Sequence, residues 1–124
     1  MKIERFVLAG SLAAVFILGV TVGVLTAQDP VKVTPKTVKV LLENDRVRVL
    51  EARLKPGEKE PMHSHPAYVG YYLSPLKVKI TSPDGQSVVR ERKAGEAGWS
   101  EAVIHSTENI GTSEVHALIV ELKK

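Results

Sequence analysis

The chain has 124 residues, 17 lysines and arginines against 14 acidic residues, a formal charge of +3 and no cysteine. That length holds one small domain, and without cysteine neither a disulfide nor a thiolate ligand can stabilise it. The positive balance is too mild for a nucleic-acid binder, and no basic block concentrates it.

The first stretch stands apart. Lys2 and Arg5 precede an uncharged run from Phe6 to Thr26, and Ala27 is a plausible residue before a signal-peptidase cut. The run of 21 residues is also long enough to cross a bilayer, and Gly19 and Gly23 would suit helix association if it were retained. Residues 1–27 therefore read as a hydrophobic helix, either a cleaved signal peptide or a membrane anchor through residues 6–26. The first alternative gives a periplasmic or secreted protein, the second one held on the inner membrane facing outward. Without Lys2, Glu4 and Arg5 the charge is +2.

Residues 28–36, with prolines at 30 and 35, read as a linker or arm, and residues 37–124 as the folded domain. From residue 37 the apolar period is two, which indicates strands. The first runs from Thr37 to Leu42, and Asn44-Asp45 turns the chain into a second, Arg46 to Leu54. There the apolar parity switches from Val47 and Val49 to Leu50, Ala52 and Leu54, which predicts a bulge. Alternating charges such as Lys39, Arg46 and Arg48 read as the wet side of a sheet.

After a turn at Lys55 to Glu58 comes the most informative segment, His63-Ser64-His65. Residues i and i+2 of a strand project to one face, about 7 Å apart, so both imidazoles can converge on one ion. Tyr68 to Leu73 and Leu76 to Ser82 follow, then the hairpin signal Pro83-Asp84-Gly85. Gln86 to Arg92, Ala97 to Ser100, Ala102 to Thr107 and Glu114 to Leu122 complete the set. Short strands with frequent turn signals predict an all-β sandwich or barrel.

Within this set, Gly57-Glu-Lys-Glu-Pro-Met-His63-Ser-His65 has the glycine, five-residue gap and His-x-His that open the first cupin motif. Val69 and Gly70 stand where its glutamate would fall. His105 followed by Asn109 matches the end of the second motif, although Ser100 and Ala102 replace its proline and glycine, and Gly95 is one place from its opening glycine. Over roughly residues 38–122 the chain resembles the cupin superfamily, and it looks like the small single-domain bacterial cupins, some of them associated with β-alanine breakdown.

That resemblance implies a jelly-roll barrel with a divalent transition metal on His63, His65 and His105. The three-histidine set is similar to the iron sites of thiol and diketone dioxygenases, so iron leads, with zinc, nickel, manganese or copper as alternatives. It implies a dioxygenase-like enzyme whose small organic substrate coordinates the metal; the other reading is a non-catalytic cupin serving as sensor, carrier or structural module. A homodimer is implied by the resemblance alone.

Further candidates follow from parity. Glu101 shares parity with His105 and stands as fourth ligand, outer partner or general base, against an ordinary solvated glutamate. Tyr68, Tyr71 and Tyr72 lie just after the His-x-His strand, and at least one should face inward; Tyr72 and Glu101 are the candidates for proton handling. Trp99 either lines the mouth or belongs to the core. Glu108 should face out. Asn109 should hold a turn. His116 alternates with Leu118, Val120 and Leu122, which predicts a core histidine rather than a ligand. No arginine is marked as inward.

Overall fold

A computed structural model describes residues 28–124, so the proposed hydrophobic leader lies outside the described residues. The domain is all-β: β1 (Val38–Glu43), β2 (Val47–Leu54), β3 (Lys59–His65), β4 (Tyr68–Tyr72), β5 (Leu76–Thr81), β6 (Ser87–Arg92), β7 (Ala97–Ser100), β8 (Val103–Asn109) and β9 (Val115–Leu122). Five strands form one antiparallel sheet in the order β1-β2-β9-β4-β7, and four form a second in the order β3-β8-β5-β6. Apart from the β1–β2 and β5–β6 pairs, consecutive strands cross between the sheets, which makes the fold a double-stranded β-helix. Among the described residues, no helix is long and apolar enough to cross a membrane.

Period-two alternation sorts side chains into a shared interior and two outer faces. Leu54, Leu76, Val78 and Val115 form one buried cluster, with Tyr72 and Ile80 against it. Val38, Leu50 and Ala52 form another, joined by Val31 and Ile119. The β5–β6 hairpin closes at Asp84-Gly85: the Asp84 carboxylate accepts from the Gln86 amide, and Gly85 sits at φ +85°, a conformation other residues resist. Asn109 holds a turn as expected. Its amide donates to the carbonyls of Leu54 and Ser113, and its Oδ1 accepts from the Gly111 N–H.

The stretch before β1 is packed against the barrel. Pro30–Val33 forms one helical turn, α1, whose first turn is capped by the Asp29 carboxylate at 2.9 Å from the Val31 amide. Pro30 and Thr34 are buried. The Ser64 amide donates to the carbonyl of Gln28 at 3.0 Å, so the arm covers the outer edge of β3.

Two strand-level expectations are corrected. The register irregularity lies in β1, between Val40 and Leu42, whereas β2 pairs with β9 without interruption from Val47 to Leu54. The parity switch in β2 has a different cause: Arg48, not a neighbouring valine, takes the inward position beside Leu50, and it is buried by ion pairs rather than solvated. His116 is the second correction. Val115, Ala117 and Glu121 are the buried side of β9, with Ile119 at the core, while His116, Leu118, Val120 and Leu122 face outward. His116 is half-buried on that outer face, with Nε2 3.1 Å from Glu51.

Candidate metal centre

The β3–β8 pair builds the site. His63 stands directly across from His105 in the ladder, and His65 is the next inward residue of β3. The three rings lie 4.7, 4.9 and 5.4 Å apart, centroid to centroid. One nitrogen from each falls within 4.8 Å of the others, and all three residues are buried.

Hydrogen bonds fix the tautomers. His63 Nδ1 lies 2.8 Å from the carbonyl of Pro61, which only accepts, so Nδ1 carries the proton. His65 Nδ1 donates likewise to Glu121 at 3.1 Å. Both arrangements leave Nε2 with its lone pair free, as a metal ligand requires. Burial pushes the His63 imidazole below its ordinary range, against the pull of the Pro61 carbonyl. Burial, with His63, His65 and Arg90 nearby, pushes His105 down to about 3. Buried, closely spaced imidazoles are the donor chemistry of a divalent transition-metal site, and the residues present fit that group.

Glu121 is 1% exposed and does not stand alone. Arg48 binds its Oε1 through Nε at 2.7 Å and Nη2 at 2.6 Å while Oε2 faces His65, so the two oxygens are held from opposite partners. Arg48 Nη1 reaches Asp29 at 2.6 Å. A continuous chain of contacts therefore runs from His65 through Glu121 and Arg48 to the α1 cap. Burial raises the Asp29 carboxyl, but its bonds to Arg48 and the Val31 amide outweigh this and hold it below the usual carboxylate range.

A further carboxylate is present that parity could not reveal. Glu60 is buried beside the histidines, with Oε2 3.8 Å from His63 Nε2. Three residues apart on a regular strand, the two would face opposite sides. The register shift between Glu60 and His63, where Pro61 and Met62 of β3 oppose Ser106 alone of β8, turns both inward. Burial raises the Glu60 carboxyl, outweighing its hydrogen bond with Thr37. Because His63 is held neutral, the contact is not an ion pair. Where the motif's glutamate is missing, Gly70 faces the interior and Val69 the exterior.

The histidines open into a cavity of about 80 Å³. Its walls include Glu60, Thr107, Arg90, Tyr68 and Tyr72, and its apolar floor is the Leu54 cluster. Tyr68 and Tyr72 face inward, while Tyr71 is exposed. Burial raises the Tyr68 phenol above its ordinary value, so it stays protonated despite its hydrogen bond with Ser100. The structure does not bring Glu101 to this place. It is exposed between β7 and β8, and its carboxylate accepts from the Trp99 indole at 2.8 Å. Trp99, 57% exposed, is neither core nor cavity wall. Glu108 faces out and pairs with Lys59. Arg48 and Arg90 take inward positions that the sequence did not mark, and Arg92 shares the face of Arg90 on β6.

No protein-family profile matches the chain, and no curated protein matches it. Solved structures do. A cupin domain from Bordetella pertussis Tohama I is 28% identical, with a TM-score of 0.65, and the match covers 70% of this chain and 92% of that one. A cupin-family protein with a double-stranded β-helix fold from Methanocaldococcus jannaschii is 17% identical over 69% of this chain and 78% of its own, with a TM-score of 0.56. An uncharacterised protein with a double-stranded β-helix domain from Klebsiella pneumoniae is 22% identical over 67% and 68%, with a TM-score of 0.54. With this topology, these neighbours and three histidines gathered inside the barrel, the domain has the cupin fold and is similar to cupin-domain proteins.

Proposed function

We propose that the protein is an exported, metal-dependent cupin enzyme of dioxygenase type acting on a small organic substrate. The observation that carries this reading is the buried histidine trio, with an acidic side chain and an open cavity beside it. His63, His65 and His105 would hold the ion through their metal-facing nitrogens, leaving positions for substrate. A bound divalent ion would supply Lewis acidity, and iron would add redox chemistry with dioxygen.

The chain's own groups divide the remaining work. Glu60 is the side chain best placed to hold a proton beside the trio. The Tyr68 and Tyr72 phenols face the same space and can hydrogen-bond a substrate oxygen. The apolar floor excludes water from the reacting group. Glu101 has no part in this arrangement. Export rests on Lys2, Arg5 and the apolar run from Phe6 to Thr26.

The narrowness of the cavity favours a second reading, a non-catalytic cupin that binds a metal or a very small ligand. Ligand pockets for drug-sized molecules measure about 300–1,000 Å³, several times this space. Elemental analysis of the purified domain with oxygen-uptake assays on small acids and thiols separates the two. Stoichiometric iron with substrate-dependent uptake supports the enzyme. Tightly held zinc with no turnover supports the binding module and overturns the catalytic proposal.

A further inference from the structure

We propose that Arg90 anchors the anionic head of the ligand, so that the site selects a small carboxylic acid over its neutral analogues. The inference deepens the reading above and rests on it, because the rest of the ligand is taken to face the histidine trio.

Arg90 lies on β6 across from Val78, whose side chain is buried in the cavity floor, so the two share the inner face of the sheet. Its side chain lines the cavity with His105, Thr107 and Tyr68. Arg48 also takes an inward position but lines no part of this cavity, and it is consumed by Glu121 and Asp29. Arg90 is not: among the described residues no carboxylate is paired with it. Glu60, the acid in the cavity wall, is engaged with Thr37 and His63 instead.

A half-buried guanidinium that faces apolar walls, with no carboxylate beside it, is open to an incoming anion. Its planar fork matches a carboxylate with two parallel hydrogen bonds, which a neutral amide cannot reproduce. A divalent ion on the trio would add further positive charge to the cavity. The limited volume and the floor of Leu54, Leu76, Val78 and Val115 restrict the remainder of the ligand to a few carbons. The arrangement therefore suits a short acid with one polar group for the histidine end and a carboxylate for Arg90.

The test is calorimetric titration of the full domain, loaded with redox-inert zinc, using 3-hydroxypropionate and its neutral amide. The wild type should bind the acid at least tenfold more tightly than the amide. Arg90→Gln should lose that preference while retaining its full zinc content, and Arg90→Lys should keep part of it. Undiminished acid binding by a zinc-replete Arg90→Gln protein overturns the proposal, as does a wild type that holds zinc and does not distinguish acid from amide. Failure of the underlying reading looks different: the wild type then retains no zinc. The same titration on metal-free protein still reports whether the acid preference depends on Arg90. Far-UV circular dichroism of each variant separates misfolding from lost recognition.

Discussion

His65 and Glu121 meet inside the barrel at 3.1 Å, although 56 residues separate them, and the contact joins one sheet to the other. The carboxylate fixes which imidazole nitrogen carries the proton, and Arg48 fixes the carboxylate. Partners of this kind orient a metal-ligating histidine and raise its basicity.

Glu121→Gln should therefore weaken metal binding by about 10–100-fold, measured by chelator competition. The same change strands Arg48, whose side chain is only 16% exposed. Breaking a buried pair from one side costs about 3–5 kcal/mol, and the residual contact with Asp29 should keep the loss at or below the lower end. Urea unfolding of the metal-free protein reads that loss separately. Unchanged metal affinity in a folded Glu121→Gln protein would remove Glu121 from the site.

Acid should destabilise the metal-free domain through His105. Its folded-state value of about 3 lies below the 6.5 of an ordinary imidazole. Between those values the unfolded chain binds the proton and the folded one does not, so stability is full above pH 6.5 and declines as pH falls towards 3. At pH 5 this group alone removes about 2 kcal/mol. His63, shifted in the same direction, adds to it. Glu60 works oppositely: its raised value favours the folded state while it is protonated, and that contribution fades as pH rises through its titration. Urea midpoints at pH 7.5 and pH 5 should differ accordingly, and His105→Gln should flatten the difference.

The strands and the trio were legible because both depend on regular geometry. Period two marks strands, and His63 with His65 shares a face by that period alone. Glu60 was hidden because a bulge inverts parity between it and His63, and nothing in Pro61-Met62 announces where the extra residue falls. Arg48 and Glu121 were hidden because each is a charged residue in an inward position, where it satisfies the other across β2 and β9. Read singly, either belongs in water. His116 misled for the complementary reason: the apolar residues it alternates with form the outer face of the five-stranded sheet, so hydrophobicity did not identify the core. Glu101 shared parity with His105 only in an unbroken strand, and the chain turns between β7 and β8.

His63 and His116 make a direct contrast. His63→Ala removes a buried ligand from the trio and should abolish metal retention after desalting. His116→Ala removes a half-exposed partner of Glu51 on the opposite face of β9, and should leave metal content intact with little change in melting temperature. Elemental analysis of both proteins decides the matter. Loss of metal from the His116 variant would mean that the ligand set is misassigned.

Gly70 controls the space over Tyr72. A Cβ there would meet the Tyr72 hydroxyl at 3.1 Å and Cζ at 3.4 Å, so the ring tip must give by a few tenths of an ångström. Gly70→Ala should fold with its metal in place and shift ligand affinity modestly. Gly70→Val adds volume in a space already narrow, and should cost about 1–3 kcal/mol while blocking ligand entry. Neither change touches the hydrogen bonds of His63 or His65, so metal content is the internal control. Thermal melts and ligand titration of the two variants, beside Tyr72→Phe, distinguish crowding from loss of the phenol. If Gly70→Val binds ligand as the wild type does, the cavity over Tyr72 is not the route to the histidines.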